Sequence, residues 1–395
     1  MNNRSENAFG FLRYYAAFCV MYLHFTGHVQ GNLPEYAGEL GILRSIVDFF
    51  QPTVIMFAIS GFLISASLER SGYDAKTFIK KRFFRLYPDL WLSMLIYLGV
   101  FYLIIPKKFD SSIFKWLLTQ GAGFASTPSC FKKFGTGSLN GPLWYITVLL
   151  QLYIIVFLFK KLTREKRNFY LYAALCCVLA ASNLFFYFIQ SSAGDTIAKL
   201  IERFFLPYAI WFFVGVFFQT FKLHEKEWRT KAFIALLILH CFFRISGILN
   251  IGYYTGIITG ISTACLTILA AFIIKPIKND STLKGYTRKN VACDILAPSA
   301  VAEGNIFLSR ECASIAERFL SYRKSNGISY MIKKTDLSYG MYLYHWLFLN
   351  IIIHYKLYLR FHWIVCLIMF TVGTILFSFV FRYSLLKQIP VFRKN

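Results

Sequence analysis

The residues best suited to chemistry in this sequence are ionisable side chains that lie inside long apolar stretches. A charged or titratable group is costly to bury in a bilayer, so such residues are usually paired or functional. No Asp or Glu lies in the middle of these stretches, which argues against a proton or sodium transporter that works through carboxylates. The candidates are Arg13, His24, His28, His240, Arg244 and His345.

Arg13 and His24 form the most informative pair, because they are eleven residues apart in the first apolar stretch. Eleven helical steps return to within about 20° of the start, so both side chains share one face, roughly 16 Å apart along the axis. A cation near the cytoplasmic end with an imidazole deeper in suits a long anionic donor whose reactive end must reach a base. The alternatives are snorkelling of Arg13 to lipid headgroups and a structural, hydrogen-bonded His24. The shared face favours a functional role for both.

A second cationic pair, Arg82 and Arg85, occurs in a basic and aromatic segment that ends at Pro88. Their spacing places both guanidinium groups on one helix face, and guanidinium groups bind phosphate in a bidentate manner. Ordinary positive flanking of a membrane span explains the same residues equally well. We expect Pro88 in the first turn of the following helix, where proline is tolerated.

The other polar candidates favour structural interpretations. His240 and Arg244 are four residues apart and are expected to form a polar pair that faces the helix bundle. His345 lies in an aromatic run, for which core packing is the favoured interpretation. The cysteines are scattered without a C-x-x-C pair, so the sequence predicts neither a zinc site nor a disulfide framework.

The composition places all these residues in a polytopic membrane protein. Hydrophobic residues make up 57% of the 395-residue chain and charged residues only 16%, whereas soluble domains average about 25% charged. A membrane helix needs about 20 mostly apolar residues. The sequence therefore predicts an all-α fold with about ten transmembrane helices, at 9–28, 47–68, 86–105, 139–159, 169–189, 204–221, 232–250, 253–274, 338–354 and 363–382.

The basic residues predict the orientation of these helices. With both termini in the cytoplasm, about three times as many Lys and Arg fall in cytoplasmic segments as in external ones, as the positive-inside rule requires. The net charge of +24 then suits anionic lipid headgroups and not nucleic acid. We expect a transmembrane core at 1–275, a polar cytoplasmic loop or insertion at 276–336, and two last helices with a basic tail at 337–395.

Four sequence blocks resemble those of the membrane acyltransferase-3 family, polytopic bacterial inner-membrane proteins that O-acylate surface polysaccharides. The blocks keep the order that they have in the family and span nearly the whole chain. They are Leu12-Arg13 with His24, the segment FAISGFLI at 57–64, Arg82 and Arg85 with Pro88 and Trp91, and the segment LSYGMYLYHW at 337–346.

The resemblance implies an O-acyltransferase that moves an acetyl or other short acyl group from acyl-CoA to a hydroxyl of a cell-surface or lipid-linked saccharide. It implies that His24 is catalytic together with Arg13, and that Arg82 and Arg85 bind the donor, acetyl-CoA. His24 would act as a base or carry the acyl group itself, and no metal is needed. The implied partners are acyl-CoA, the saccharide and the lipid bilayer of the bacterial inner (cytoplasmic) membrane.

The sequence departs from the family pattern where many members carry acids. Val54 stands in one such position, and Leu149 and Leu150 stand in two others, so we expect no carboxylate to orient His24. The alternative function is a transporter or flippase of a lipid-linked saccharide, which would bind lipid phosphate through its cations and tolerate loss of His24. A scaffold for polysaccharide assembly would need no single intramembrane side chain. The acceptor sugar, the acyl chain and the oligomeric state do not follow from the sequence.

Overall fold

The computed structural model describes residues 7–106, 109–164, 167–274 and 336–385. Within these residues the chain forms helices joined by turns and short 3-10 segments, and it contains no β-strand. The chain divides into two units. The larger one, 8–273 and 337–395, carries every helix given below. The smaller one lies almost entirely outside the described residues, as does the predicted loop or insertion at 276–336.

Thirteen α-helices occur in the described residues of the larger unit. They are α1 (Phe9–Val29), α2 (Ala37–Asp48), α3 (Pro52–Arg70), α4 (Ala75–Ile104), α5 (Ser112–Gly121), α6 (Trp144–Leu162), α7 (Phe169–Gln190), α8 (Asp195–Glu202), α9 (Leu206–Thr220), α10 (Arg229–Ser246), α11 (Ile257–Ile273), α12 (Ser338–His354) and α13 (Trp363–Phe377). A π-helix at Ser378–Leu385 continues α13.

Each predicted membrane segment coincides with one of these helices, which confirms the all-α prediction. The shorter helices α2, α5 and α8 are not among the helices predicted from the sequence. Helix α4 begins well before the predicted start at 86, because the Asp74 carboxylate caps it by accepting the Thr77 N–H at 2.7 Å. Pro88 therefore lies in the interior of α4, and its expected place in a first turn is wrong.

Six helical segments among the described residues are long and apolar enough to cross a membrane. They are Pro34–Arg70, Ala75–Ile104, Gly141–Leu162, Phe169–Gln190, Asp195–Thr220 and Trp363–Phe381. The protein is therefore a multi-pass membrane protein. The full count of about ten crossings and the cytoplasmic placement of both termini stay predictions.

Close helix packing around α3 and α1 determines where the functional side chains lie. An added Cβ at Gly61 of α3 would come within 1.9 Å of the Phe212 carbonyl oxygen of α9, and one at Gly215 within 2.1 Å of the Ala58 carbonyl oxygen. Small residues at both positions thus let the two backbones touch, as is common between membrane helices. Helix α1 packs against α2, α3 and α12, so the last part of the chain lies beside the first.

Candidate active site

The side chain of His24 lies against two aromatic rings of α12. The ring centroids of His24 and His345 are 5.4 Å apart, and their planes differ by 19°. Trp346 meets the His24 ring edge-on at a centroid distance of 4.9 Å, and His28, one turn further along α1, meets Trp346 at 5.2 Å. Three imidazoles therefore surround one indole where α1 and α12 pack together.

The hydrogen-bonding capacity of the two stacked imidazoles is largely unused by the protein. The Nδ1 atom of His345 lies 3.0 Å from the Met341 carbonyl oxygen, and since a carbonyl only accepts, this nitrogen carries the proton. Nε2 of His345 is then a bare acceptor, and it is buried without a hydrogen-bond partner among the described residues. His24 is part-buried and has no hydrogen-bond partner in the part of the chain that the structure describes.

The loop before α6 holds the Trp346 ring in place beside His24. The indole Nε1–H donates to the Ser138 carbonyl oxygen at 3.0 Å, and the Asn350 amide donates to the same oxygen at 3.0 Å. The Asn350 side-chain oxygen in turn accepts the Thr136 N–H at 2.9 Å. Gly141 leaves room for the ring, because an added Cβ there would lie 2.6 Å from it. One wall of the site is thus built from both halves of the chain.

Arg82 and Arg85 form a cationic region on α4. Arg82 donates to the Ser67 hydroxyl at 2.9 Å and lies 5.7 Å from the centre of the Phe78 ring. Its Nε–H is buried without an acceptor, and neither arginine has an acidic partner among the described residues. Tyr153 lies within electrostatic range of both. With no acidic partner among the described residues, both cations are suited to an anionic ligand.

Buried tyrosines link the arginines to the histidines. Tyr145 lies within electrostatic range of Arg85, and its hydroxyl is 3.2 Å from the Ser60 hydroxyl. The ring centroids of Tyr145 and Tyr342 are 5.8 Å apart, and those of Tyr342 and His345 are 6.2 Å apart. All four sequence blocks noted above therefore contribute to this one site.

Arg13 lies away from the imidazoles. Helix α1 is unbroken from Phe9 to Val29, which confirms that Arg13 and His24 share a helix face. The helical rise between them remains roughly 16 Å. The structure thus brings His24 to His345 and Arg82 near Arg85, but it does not bring Arg13 into contact with His24.

The surroundings of His24 contain no carboxylate among the described residues. The position of Val54, where many family sequences carry an acid, is apolar and fully buried. The charged or titratable groups within electrostatic range of His24 are His345, His28 and Arg44. The burial of His345 is predicted from its aromatic run and is confirmed, but its place opposite His24 is not predicted, because no local sequence pattern signals a contact between α1 and α12.

His240 and Arg244 have the structural role that the sequence favours. His240 is fully buried; its Nδ1 lies 2.9 Å from the Ser262 hydroxyl and its Nε2 lies 3.1 Å from the Phe49 carbonyl oxygen. Arg244 donates to the carboxylate and the carbonyl oxygen of Asp48. Both side chains therefore hold α10 against the end of α2 and the residue that follows it.

One ion pair with a buried lysine, Lys160 with Glu69, is not predicted from the sequence. Lys160 of α6 is 2% exposed, and its ammonium lies 2.9 Å from a Glu69 carboxylate oxygen and 3.0 Å from the Thr220 hydroxyl. Gln219 donates to the other Glu69 oxygen at 2.9 Å. Both residues stand at the edge of their apolar stretches, where basic and acidic residues usually face water, so the sequence carries no signal for this pair.

The chemistry that these groups offer is proton transfer and recognition of an anion. Among the described residues, no group of three or more His, Cys, Asp and Glu side chains is arranged to hold a metal ion. Comparison with known proteins adds one finding: a family model described as an acyltransferase domain matches residues 6–285, more than half of the chain. No curated protein and no solved structure matches.

Proposed function

Because the chain belongs to the acyltransferase-3 family, we propose that it moves an acetyl or other short acyl group from acyl-CoA to a saccharide hydroxyl. The observation that carries the proposal is the His24 imidazole, which has no hydrogen-bond partner among the described residues and lies where the four sequence blocks meet. An imidazole kept free of protein partners is available to a substrate hydroxyl at neutral pH.

Two routes use the same histidine. In the direct route, His24 takes the hydroxyl proton as the saccharide oxygen forms a bond to the thioester carbon. The carbon–sulfur bond then breaks, and the departing thiolate takes the proton from the imidazolium. In the covalent route, His24 itself forms the bond to the acyl carbon, and CoA leaves with the imidazole proton. The hydroxyl then accepts the acyl group and returns its proton to the imidazole.

The donor is proposed to extend from the arginines to the histidines. Arg82 and Arg85 would bind the phosphates of acyl-CoA, since both lack acidic partners among the described residues. The pantetheine arm would follow Tyr153, Tyr145 and Tyr342 so that the thioester reaches His24. Arg13 would contribute to donor binding from the same face of α1 as His24.

The acceptor is proposed to be a cell-surface or lipid-linked saccharide in the inner membrane of a bacterium. The proposal follows from the resemblance of the sequence blocks and from the multi-pass character of the chain. A lipid-linked acceptor would remain in the bilayer with its hydroxyl at the depth of the site.

The test uses purified protein in lipid nanodiscs, radiolabelled acetyl-CoA and a panel of bacterial surface glycans. We expect label on a glycan with the wild-type protein and none with His24→Ala. Rapid denaturation in SDS at neutral pH before glycan is added separates the routes, because label stays on the wild-type protein only if His24 carries the acyl group. Folded wild-type protein that neither binds nor consumes acetyl-CoA would contradict the donor, and equal transfer by both proteins would contradict the role of His24.

A further inference from the structure

We propose that His345 is a second ligand-binding residue of the site, whose Nε2 accepts a hydrogen bond from a donor group of the molecule bound beside His24. The inference rests on the proposed function, because the bound molecule is a substrate of the acyl transfer. It goes beyond the proposed function because it assigns a role to His345, which neither route of acyl transfer requires.

The hydrogen bond to Met341 fixes the tautomer of His345. The bond from Nδ1 to the Met341 carbonyl oxygen is the intrahelical contact that sets the ring orientation on α12. With the proton on Nδ1, Nε2 offers only a lone pair. A solitary lone pair of this kind binds hydroxyl or amide N–H groups and not anions.

Nε2 of His345 has no hydrogen-bond partner among the described residues. His345 is 0% exposed, and no donor among the described residues reaches Nε2. Leaving a buried acceptor without a hydrogen bond is costly, and proteins satisfy the great majority of such groups. The neighbouring His24 ring does not satisfy it either, because no hydrogen bond forms between the two imidazoles.

Three aromatic rings of the site lie around the His345 imidazole. The ring lies between His24 and Tyr342, with Trp346 edge-on beside it. A ligand that places its reacting atom at His24 therefore passes within reach of His345. The ligand group is a hydroxyl of the saccharide or an amide N–H of the pantetheine arm, and both share the chemistry of a neutral hydrogen-bond donor.

The test compares two variants that separate the two nitrogens. His345→Asn keeps an N–H at the position of Nδ1 for the Met341 carbonyl oxygen, but it places no acceptor at the position of Nε2. His345→Gln does the opposite, because its amide oxygen reaches the position of Nε2 and its bond to Met341 is lost. Release of CoA thiol from acetyl-CoA is measured in nanodiscs, with the glycan that accepts label from the wild-type protein and with water alone.

We expect His345→Asn to lose about ten-fold in kcat/KM, the loss typical of one hydrogen bond to a ligand, while His345→Gln retains most of the activity. A raised KM for the glycan assigns the bond to the saccharide hydroxyl, and a raised KM for acetyl-CoA assigns it to the pantetheine amide. A purely structural histidine gives the reverse order, because His345→Gln then suffers most, and that result or equal rates for both variants overturns the inference. If the wild-type protein itself releases no thiol, the proposed function fails, and the inference fails with it.

Discussion

His240 and His345 are both fully buried histidines of apolar helices, and each sets one ring nitrogen against a main-chain carbonyl oxygen. The two histidines differ at the second ring nitrogen. In His240 it reaches the Ser262 hydroxyl at 2.9 Å, and the ring stacks on Phe50. In His345 it has no partner among the described residues, and the ring stacks on another imidazole, His24.

Burial alone therefore does not distinguish a structural histidine from a functional one. A buried polar atom that lacks its hydrogen bond costs about 1–3 kcal/mol, so folding gives no reason to keep one. Both ring nitrogens of His240 are hydrogen-bonded, and the expected consequence of mutating His240 is lost stability. The His24 imidazole and Nε2 of His345 have no hydrogen-bond partner among the described residues, and the expected consequence of mutating either residue is lost binding or turnover of the ligand.

The largest effect is expected at His24. His24→Gln keeps the volume of the side chain but removes the base, so acyl transfer should fall by about 10²–10⁴-fold, the usual contribution of a general acid–base group. The thermal unfolding midpoint should stay near that of the wild-type protein, because no hydrogen bond to another described residue is lost. Rates are measured as transfer of radiolabel in nanodiscs. The matched control is His28→Gln, which alters the other α1 imidazole against Trp346 and should keep most of the activity. Transfer at the wild-type rate by His24→Gln would remove the basis for treating this region as reactive.

The next effect concerns donor binding at Arg85. Arg85→Gln should raise the KM for acetyl-CoA by about 10–100-fold, since a hydrogen bond to a charged group contributes about 1.5–3 kcal/mol. Stability should not change, because Arg85 is exposed and has no acidic partner among the described residues. Steady-state kinetics at several salt concentrations measure the change. Lys81→Gln is the control, as it removes the same charge from an exposed position of the same helix. If both substitutions raise the KM equally, α4 contributes only general positive potential.

The sequence predicts those features of the molecule that depend on local pattern. Long apolar runs predict the membrane helices, and the spacing of eleven residues places Arg13 and His24 on one face of an unbroken α1. The start of α4 is missed, because the Asp74 cap extends a helix through polar residues that carry no apolar signal. Pro88 is then misplaced for the same reason.

The parts that depend on tertiary packing do not follow from local pattern. The contact of His24 with His345 joins α1 to α12 across most of the chain, and helix periodicity carries no information on which helices become neighbours. The Lys160–Glu69 pair is missed likewise, because a basic residue at a helix end is indistinguishable in sequence from ordinary flanking charge. Resemblance of the blocks identifies His24 as a candidate, but only the structure reveals the open nitrogen of His345.

A smaller effect, on stability and not on chemistry, is expected at His240. His240→Ala removes both ring bonds and leaves the Phe49 carbonyl oxygen without this donor, so the free energy of unfolding should fall by about 1–3 kcal/mol. Transfer per folded molecule should remain at the wild-type level. Thermal unfolding in detergent and rates at 25 °C on the folded fraction measure the two quantities. Phe242→Ala, which truncates an exposed side chain of the same helix, should lower the midpoint less. A ten-fold loss of rate in folded His240→Ala protein would mean that the two histidine regions are coupled.

The smallest effect is expected at Arg244, the partly exposed neighbour of His240. Its ion pair with Asp48 involves side chains that are 20% and 41% exposed, and pairs of this kind contribute about 0–1 kcal/mol. Arg244→Gln should therefore shift the unfolding midpoint only slightly, and less at high salt, where the pair is already screened. Arg244→Lys keeps the charge and should shift it less than Gln does. Since this arginine has an acidic partner whereas Arg85 has none in the part of the chain that the structure describes, Arg244→Gln should leave the KM for acetyl-CoA unchanged. A raised KM would show that the presence of an acidic partner does not distinguish a structural arginine from a ligand-binding one in this molecule.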